Sequence, residues 1–106
     1  MRHKVVLHQD AEHDLSEIAE WIADKAGVSV ALRYAARIRA YCNRFDLFPE
    51  RGTRRDDLFP GLRTTGFERR ITVVFTVTQT EIVILRLLYG GRDIDRIFSG
   101  ADDDPH

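Results

Sequence analysis

EIVILRLLYGGRD, residues 81–93, combines a strand-forming apolar run with an internal arginine and a terminal glycine pair. Alternation along a strand predicts one face formed by Val83, Leu85 and Leu87. It predicts an opposite face formed by Ile82, Ile84, Arg86 and Leu88. Arginine keeps its charge, so Arg86 needs solvent, an internal carboxylate or an anionic partner. We expect helices to cover the first face and to leave Arg86 on the uncovered one.

The segments before this strand also read as a sheet. Period-two patterns rich in Val, Thr and Phe predict strands over 62–65 and 70–78, followed by the strand over 81–89. A turn over 66–68 joins the first two strands. The arginine-rich segment 50–57 is predicted to be a loop.

The first half of the chain has helical periodicity. A strand is expected over 3–8, and a helix capped by Asp10 and stopped by Gly27 follows it. Its apolar stripe is Leu15, Ile18, Ala19, Ile22 and Ala26. A second helix is expected from Val28 or Ser29 to about Phe48, with the stripe Ala31, Ala35, Ile38, Cys42 and Phe45. The predicted fold is α+β: an N-terminal strand, an antiparallel two-helix hairpin, and a three-stranded antiparallel sheet packed on the hairpin.

Length and composition suggest one small domain. The 106 residues carry a net charge of −1, and we expect one domain over 1–98 and a disordered acidic tail over 99–106. The single cysteine, Cys42, excludes an internal disulfide and fits a reducing cytosol. The apolar run at 5–7 is too short for a signal peptide, and no run approaches a membrane span. The expected location is the cytoplasm, without membrane contact.

No arrangement typical of catalysis is found in the sequence. The four histidines and Cys42 lack metal-ligand spacing, so no metal site is predicted. There is no phosphate-binding glycine loop, which argues against nucleotide hydrolysis. No serine or cysteine has the context of a nucleophile. We expect no catalytic residue and no cofactor, and an enzyme is the less favoured interpretation.

The arginines of the second half are the remaining candidates. Those in or beside predicted strands are Arg63, Arg70, Arg86, Arg92 and Arg96. They either converge on one cationic surface or pair separately with nearby carboxylates. Simple pairing is favoured for Arg69, Arg70 and Arg96, whereas a functional role is favoured for Arg63 and Arg86, which lie within strands.

Several motifs resemble one known family. The first helix contributes Ala11, Asp14-Leu15, Ile18 and Trp21-Ile22-Ala23, and the segments after the second helix contribute Pro49-Glu50-Arg51-Gly52 and Pro60-Gly61-Leu62-Arg63. The ending over 84–93 is the most specific match. Together these motifs resemble the ParE branch of the RelE/ParE toxin superfamily of bacterial type II toxin–antitoxin modules. Tyr89 and Gly91 depart from the histidine and alanine usual in that ending.

The resemblance implies a protein inhibitor. ParE toxins act on DNA gyrase, trap it with cleaved DNA, and are neutralised by a ParD-type antitoxin. For this chain it implies a hetero-oligomer with a ParD-like antitoxin and contact with operator DNA only through that antitoxin. The residues expected to bind antitoxin or target are Arg63, Arg70, Arg86, Tyr89, Arg92 and Asp93. An acidic antitoxin tail would bring carboxylates to the arginines.

Two alternatives stay open at this point. A RelE-type toxin would be a ribosome-dependent mRNA endonuclease, in which Arg63 and Arg86 stabilise the phosphate transition state and Tyr89 transfers a proton. An interaction module that has lost its toxicity is the other alternative.

Overall fold

Two antiparallel helices pack on one face of a mixed five-stranded sheet in the computed structural model, which describes residues 3–90 and 97. The elements in chain order are β1 (Lys4–Leu7), α1 (Gln9–Ala26), α2 (Val28–Asn43), a 3-10 turn (Arg44–Leu47), β2 (Thr53–Arg54), β3 (Leu62–Phe67), β4 (Ile71–Val77) and β5 (Glu81–Tyr89). The acidic tail expected over 99–106 lies outside the described residues.

The helical hairpin forms where the sequence predicts it, except that α2 ends at Asn43 and a 3-10 turn replaces its predicted last turn before Phe48. His8, rather than Asp10, is the N-cap of α1, and its Nδ1 accepts a hydrogen bond from the Asp10 N–H at 3.1 Å. Asp10 and Glu12 instead lie in the first turn, where they complement the positive end of the helix dipole. Gly27 ends α1 with a φ of 101°, a conformation that glycine adopts without strain, and α2 begins at the next residue.

The sheet is larger than predicted. Its strand order is β1-β5-β4-β3-β2, and β1 pairs with β5 in parallel. The prediction of a three-stranded antiparallel sheet is therefore wrong in two respects. The N-terminal strand joins the sheet at its edge, and the long connection that a parallel pair requires is formed by the two helices and by β2, β3 and β4. The two-residue strand β2 lies within the predicted loop and is too short to show a period of two.

A β-bulge in β5 overturns the predicted faces for the part of the strand up to Leu85, whereas Leu87 and Leu88 lie on the faces predicted for them. Phe75 pairs with Ile84 and Val74 pairs with Arg86, so Leu85 is an extra residue. The alternation reverses there. Ile82 and Ile84, predicted on the uncovered face, are buried in the main core, and Leu85 packs on the opposite side of the sheet.

The main core lies between the hairpin and the sheet. The predicted helical stripes supply Leu15, Ile18, Ile38, Cys42 and Phe45, although Ala26 at the end of α1 is exposed. The opposite face of the sheet carries a smaller cluster of Leu62, Val74 and Leu88. Within the described part of the chain, no helix is long and apolar enough to cross a membrane.

Candidate partner-binding surface

Arg86 is held by a carboxylate from α1. Its Nε donates to Asp14 Oδ2 at 2.7 Å and its Nη2 donates to Oδ1 at 3.0 Å. Asp14 is only 3% exposed, whereas the Arg86 side chain is 23% exposed. This hydrogen bond to Asp14 raises the pKa of Arg86, which stays charged. Arg86 thus has an internal anionic partner.

The Asp14 carboxylate also accepts a backbone hydrogen bond at the edge of β5. Strand β1 stops at Leu7, after which the His8 N–H donates to the Ile84 carbonyl at 2.8 Å. Further along β5, the buried Leu87 N–H donates to Asp14 Oδ2 at 2.9 Å. Asp14 therefore satisfies a backbone donor that β1 does not reach. Its three hydrogen bonds fix α1 against β5.

Arg63 also has partners within the fold. Its Nη1 donates to the Glu50 carbonyl at 3.1 Å and to the Arg51 carbonyl at 3.3 Å. The Glu50 carboxylate lies farther away, with an N–O distance of 4.0 Å. The mostly buried Arg63 side chain thus connects strand β3 to the loop before β2 through these hydrogen bonds.

Two of the predicted site residues do meet at the surface. The exposed Arg70 donates through Nη1 to the Tyr89 hydroxyl at 3.4 Å, a bond that raises the pKa of Arg70. The Tyr89 ring packs against Trp21 with the ring centroids 4.9 Å apart and the planes tilted by 53°. Arg92 and Asp93 lie outside the described residues. Of the arginines predicted to converge on one cationic surface, Arg63, Arg70 and Arg86 lie in the described part of the chain, and each has its own hydrogen-bond partner there.

A groove opens beside Tyr89, between α1 and β5. Its volume is ≈ 360 Å³, and its lining residues are Asp14, Glu17, Ile18, Trp21, Leu87 and Tyr89. Glu17 was not predicted as a site residue, and Trp21 was named only within the motif of the first helix. The four-residue spacing of Glu17 and Trp21 was the signal that the sequence offered for this surface, because residues four apart on a helix share a face.

The outer face of α2 is unusually apolar for a solvent-facing surface. Val28 is 65% exposed and Leu32 is 64% exposed, although both are large aliphatic residues. Ala36 and Ala40 continue the same spacing of four residues and are also exposed. We call these four residues the α2 stripe. A contiguous exposed apolar surface of this kind is typical of a binding site for another protein.

The residues that the structure describes contain no group of three or more potential ligands that could hold a metal ion. Cys42 is buried under the helices, and burial raises the pKa of its thiol to about 12. A protonated thiol is a poor nucleophile. The exposed aromatic and apolar surfaces are therefore the stronger candidates for function.

Comparison with known proteins identifies the family. Residues 5–94 match the family described as the ParE toxin of type II toxin-antitoxin system, parDE. The chain belongs to the ParE toxin family. Toxin ParE3 of Caulobacter vibrioides is 32% identical over 87 residues, which cover 82% of this chain and 86% of that protein.

A solved structure supports the same assignment. The structure titled "Chromosomal ParDE TA system from P. aeruginosa" contains a chain that is 26% identical to this one, with a TM-score of 0.73. The match covers 84% of this chain and 97% of that chain. The α+β architecture and the toxin family predicted from the sequence are thereby confirmed.

Proposed function

We propose that this ParE-family toxin inhibits DNA gyrase in the cytoplasm and is neutralised by a ParD-like antitoxin. Membership of the ParE toxin family supports the proposed inhibition of gyrase, because the resemblance to that family implies a gyrase inhibitor. The similar P. aeruginosa structure, whose title names a ParDE toxin–antitoxin system, supports the proposed neutralisation by an antitoxin. Contact with operator DNA would then come only through the antitoxin.

The α2 stripe is the observation that carries the antitoxin proposal. Val28 and Leu32 lie four residues apart, so their side chains lie on one face of the helix. An amphipathic helix binds such a face by laying its own apolar residues along it. Burial of these two aliphatic side chains removes apolar surface from water, which favours binding. A helix of the antitoxin is the partner that we place there.

Two arginines weigh against the nuclease alternative. That mechanism would need Arg63 and Arg86 to approach a phosphate, but Arg86 is hydrogen-bonded to Asp14 and Arg63 to loop carbonyls. Freeing Arg86 would leave a buried carboxylate without its counter-ion, a cost of about 3–5 kcal/mol. An inhibitor that acts through its surface has no such cost.

One pair of reactions separates the two activities. Purified toxin is added to a gyrase supercoiling assay and, in parallel, to translating ribosomes carrying a defined mRNA. The proposal predicts loss of supercoiling with accumulation of linear DNA, and intact mRNA. Cleaved mRNA with unaffected gyrase would overturn it.

A matched pair of variants tests the antitoxin surface. Leu32→Glu places a charge in the α2 stripe, while Leu47→Glu alters another exposed leucine outside it. Both positions are exposed, so the free energy of unfolding should change by at most about 0.5 kcal/mol. Calorimetric titration with the antitoxin encoded beside the toxin gene should show weaker binding for Leu32→Glu only. Equal affinities for the two variants would remove the α2 stripe from the interface.

A further inference from the structure

The groove between α1 and β5 is lined by acidic and aromatic side chains, whereas the strand arginines predicted a cationic surface. Its walls combine two carboxylates, Asp14 and Glu17, with the aromatic rings of Trp21 and Tyr89. Glu17 and Trp21 lie four residues apart on α1 and therefore project from the same side of the helix. The carboxylate of Glu17 is about half exposed, so a ligand can reach it.

One carboxylate of this groove lacks a permanent counter-ion. Asp14 is paired with Arg86, and the guanidinium of Arg70 lies at the Tyr89 hydroxyl. Among the described residues the ion-pair partner of Glu17 is His13, 3.5 Å away, and an imidazole is not a permanent cation. Glu17 is therefore the groove carboxylate with which a cationic group of a partner can pair.

The aromatic pair favours the same kind of ligand. The rings of Trp21 and Tyr89 pack against each other with a tilt of 53°, and Trp21 is 46% exposed, so part of its ring faces solvent. A cation over the face of tryptophan gains a favourable interaction with the ring quadrupole. Arginine fits better than lysine because its planar guanidinium stacks on a ring and also pairs with a carboxylate through two hydrogen bonds.

We infer that this groove binds an arginine side chain of the antitoxin, an inference that rests on the proposed function. A tight complex depends on a few well-packed anchors, commonly arginine and tryptophan. Trp21 and Glu17 form the toxin side of such an anchor. They line the groove beside β5, whose Leu87 N–H is hydrogen-bonded to Asp14. In this arrangement the toxin supplies the carboxylate and the antitoxin supplies the arginine. This is the reverse of the acidic antitoxin tail that the sequence led us to expect on toxin arginines.

A small-molecule titration tests the groove directly. Trp21 is the only tryptophan of the chain, so intrinsic fluorescence reports on this site. The probes are N-acetyl-arginine methylamide and its uncharged citrulline analogue. We expect a saturable change in emission with the arginine probe, and none with citrulline or with the Glu17→Gln toxin. An identical response to the two probes would overturn the inference.

Binding of the antitoxin tests the biological occupant. Glu17→Gln removes one charge from the groove, and Glu20→Gln removes one from an exposed position of α1 that does not line it. We expect Glu17→Gln to raise the dissociation constant about tenfold, as loss of one interfacial charge pair implies. Glu20→Gln should leave it unchanged.

The remaining outcomes separate the two proposals. If the Glu17→Gln toxin binds the antitoxin as tightly as the unaltered toxin does, the arginine site is wrong and the toxin–antitoxin pairing stands. If the unaltered toxin does not bind the antitoxin, the proposed partner itself is wrong. If Glu17→Gln weakens gyrase inhibition and leaves antitoxin binding unchanged, the groove serves the target, which overturns the assignment to the antitoxin.

Discussion

Removal of either partner of the Asp14–Arg86 pair should destabilise the fold, but by unequal amounts. In Arg86→Gln, the carboxylate of Asp14 stays buried, at 3% exposure, without a counter-ion. In Asp14→Asn, the guanidinium of Arg86 keeps access to water, because its side chain is 23% exposed. The asparagine oxygen also still accepts a hydrogen bond from the Leu87 N–H, which Asp14 accepts at 2.9 Å. Arg86→Gln is therefore the more damaging change.

The size of the effect follows from burial. Breaking a buried ion pair by removing one partner costs about 3–5 kcal/mol. The partial exposure of Arg86 and the residual hydrogen bond of glutamine place Arg86→Gln at the lower end, about 3 kcal/mol. Asp14→Asn should cost about 1–2 kcal/mol, since only a solvated charge and one hydrogen bond are affected. The double variant restores neutrality and should lose less than Arg86→Gln alone.

Urea unfolding followed by far-ultraviolet circular dichroism measures these differences. For a chain of this size, a loss of 3 kcal/mol lowers the midpoint by about 1–2 M. We expect the order of stability to be unaltered toxin, Asp14→Asn, then Arg86→Gln, with the double variant above Arg86→Gln. An Arg86→Gln protein within about 0.5 kcal/mol of the unaltered toxin would refute the structural role of the pair.

Three further changes test other parts of the fold. Gly52→Ala should destabilise the protein by about 1–3 kcal/mol in urea unfolding, because φ is 78° and a Cβ would lie 2.2 Å from the Thr64 carbonyl oxygen; Gly66→Ala, with no close contact, is the control and should cost less. Tyr34→Phe should raise the free energy of unfolding by about 1 kcal/mol, since the hydroxyl is buried without a hydrogen-bond partner among the described residues; a lower midpoint would show that the hydroxyl has a partner. Cys42 should react with iodoacetamide at pH 8 only after unfolding, because burial raises its thiol pKa to about 12 and the thiolate forms only at much higher pH in the folded protein; rapid alkylation of the native toxin would contradict its burial.

Local patterns in the sequence were sufficient for the helices and for strand β5. The spacing of Leu15, Ile18, Ile38 and Phe45 identified the buried faces of the hairpin, because helical periodicity is a local property. The motifs of the sequence, above all the one over residues 84–93, were sufficient to identify the family. The pairing of β1 with β5 was not predicted, since it joins residues nearly eighty positions apart and leaves no local signal.

The error in the site has a similar cause. The bulge at Leu85 is one extra apolar residue between Ile84 and Arg86, and nothing in the pattern marks where the alternation reverses. Arg86 was singled out, but its partner Asp14 is 72 residues away, and their pairing depends on how α1 lies along β5. The groove at Trp21 depends on the same packing, which is why it was missed.

The most direct test asks whether Arg86 serves the fold or the function. The Asp14→Asn/Arg86→Gln double variant is first shown to be folded by circular dichroism and is then compared with the unaltered toxin in the gyrase supercoiling assay. Because the pair is internal, we predict that the two proteins inhibit supercoiling at the same concentration and leave linear DNA alike. A folded double variant that no longer inhibits gyrase, beside an unaltered toxin that does, would contradict a purely structural role for Arg86.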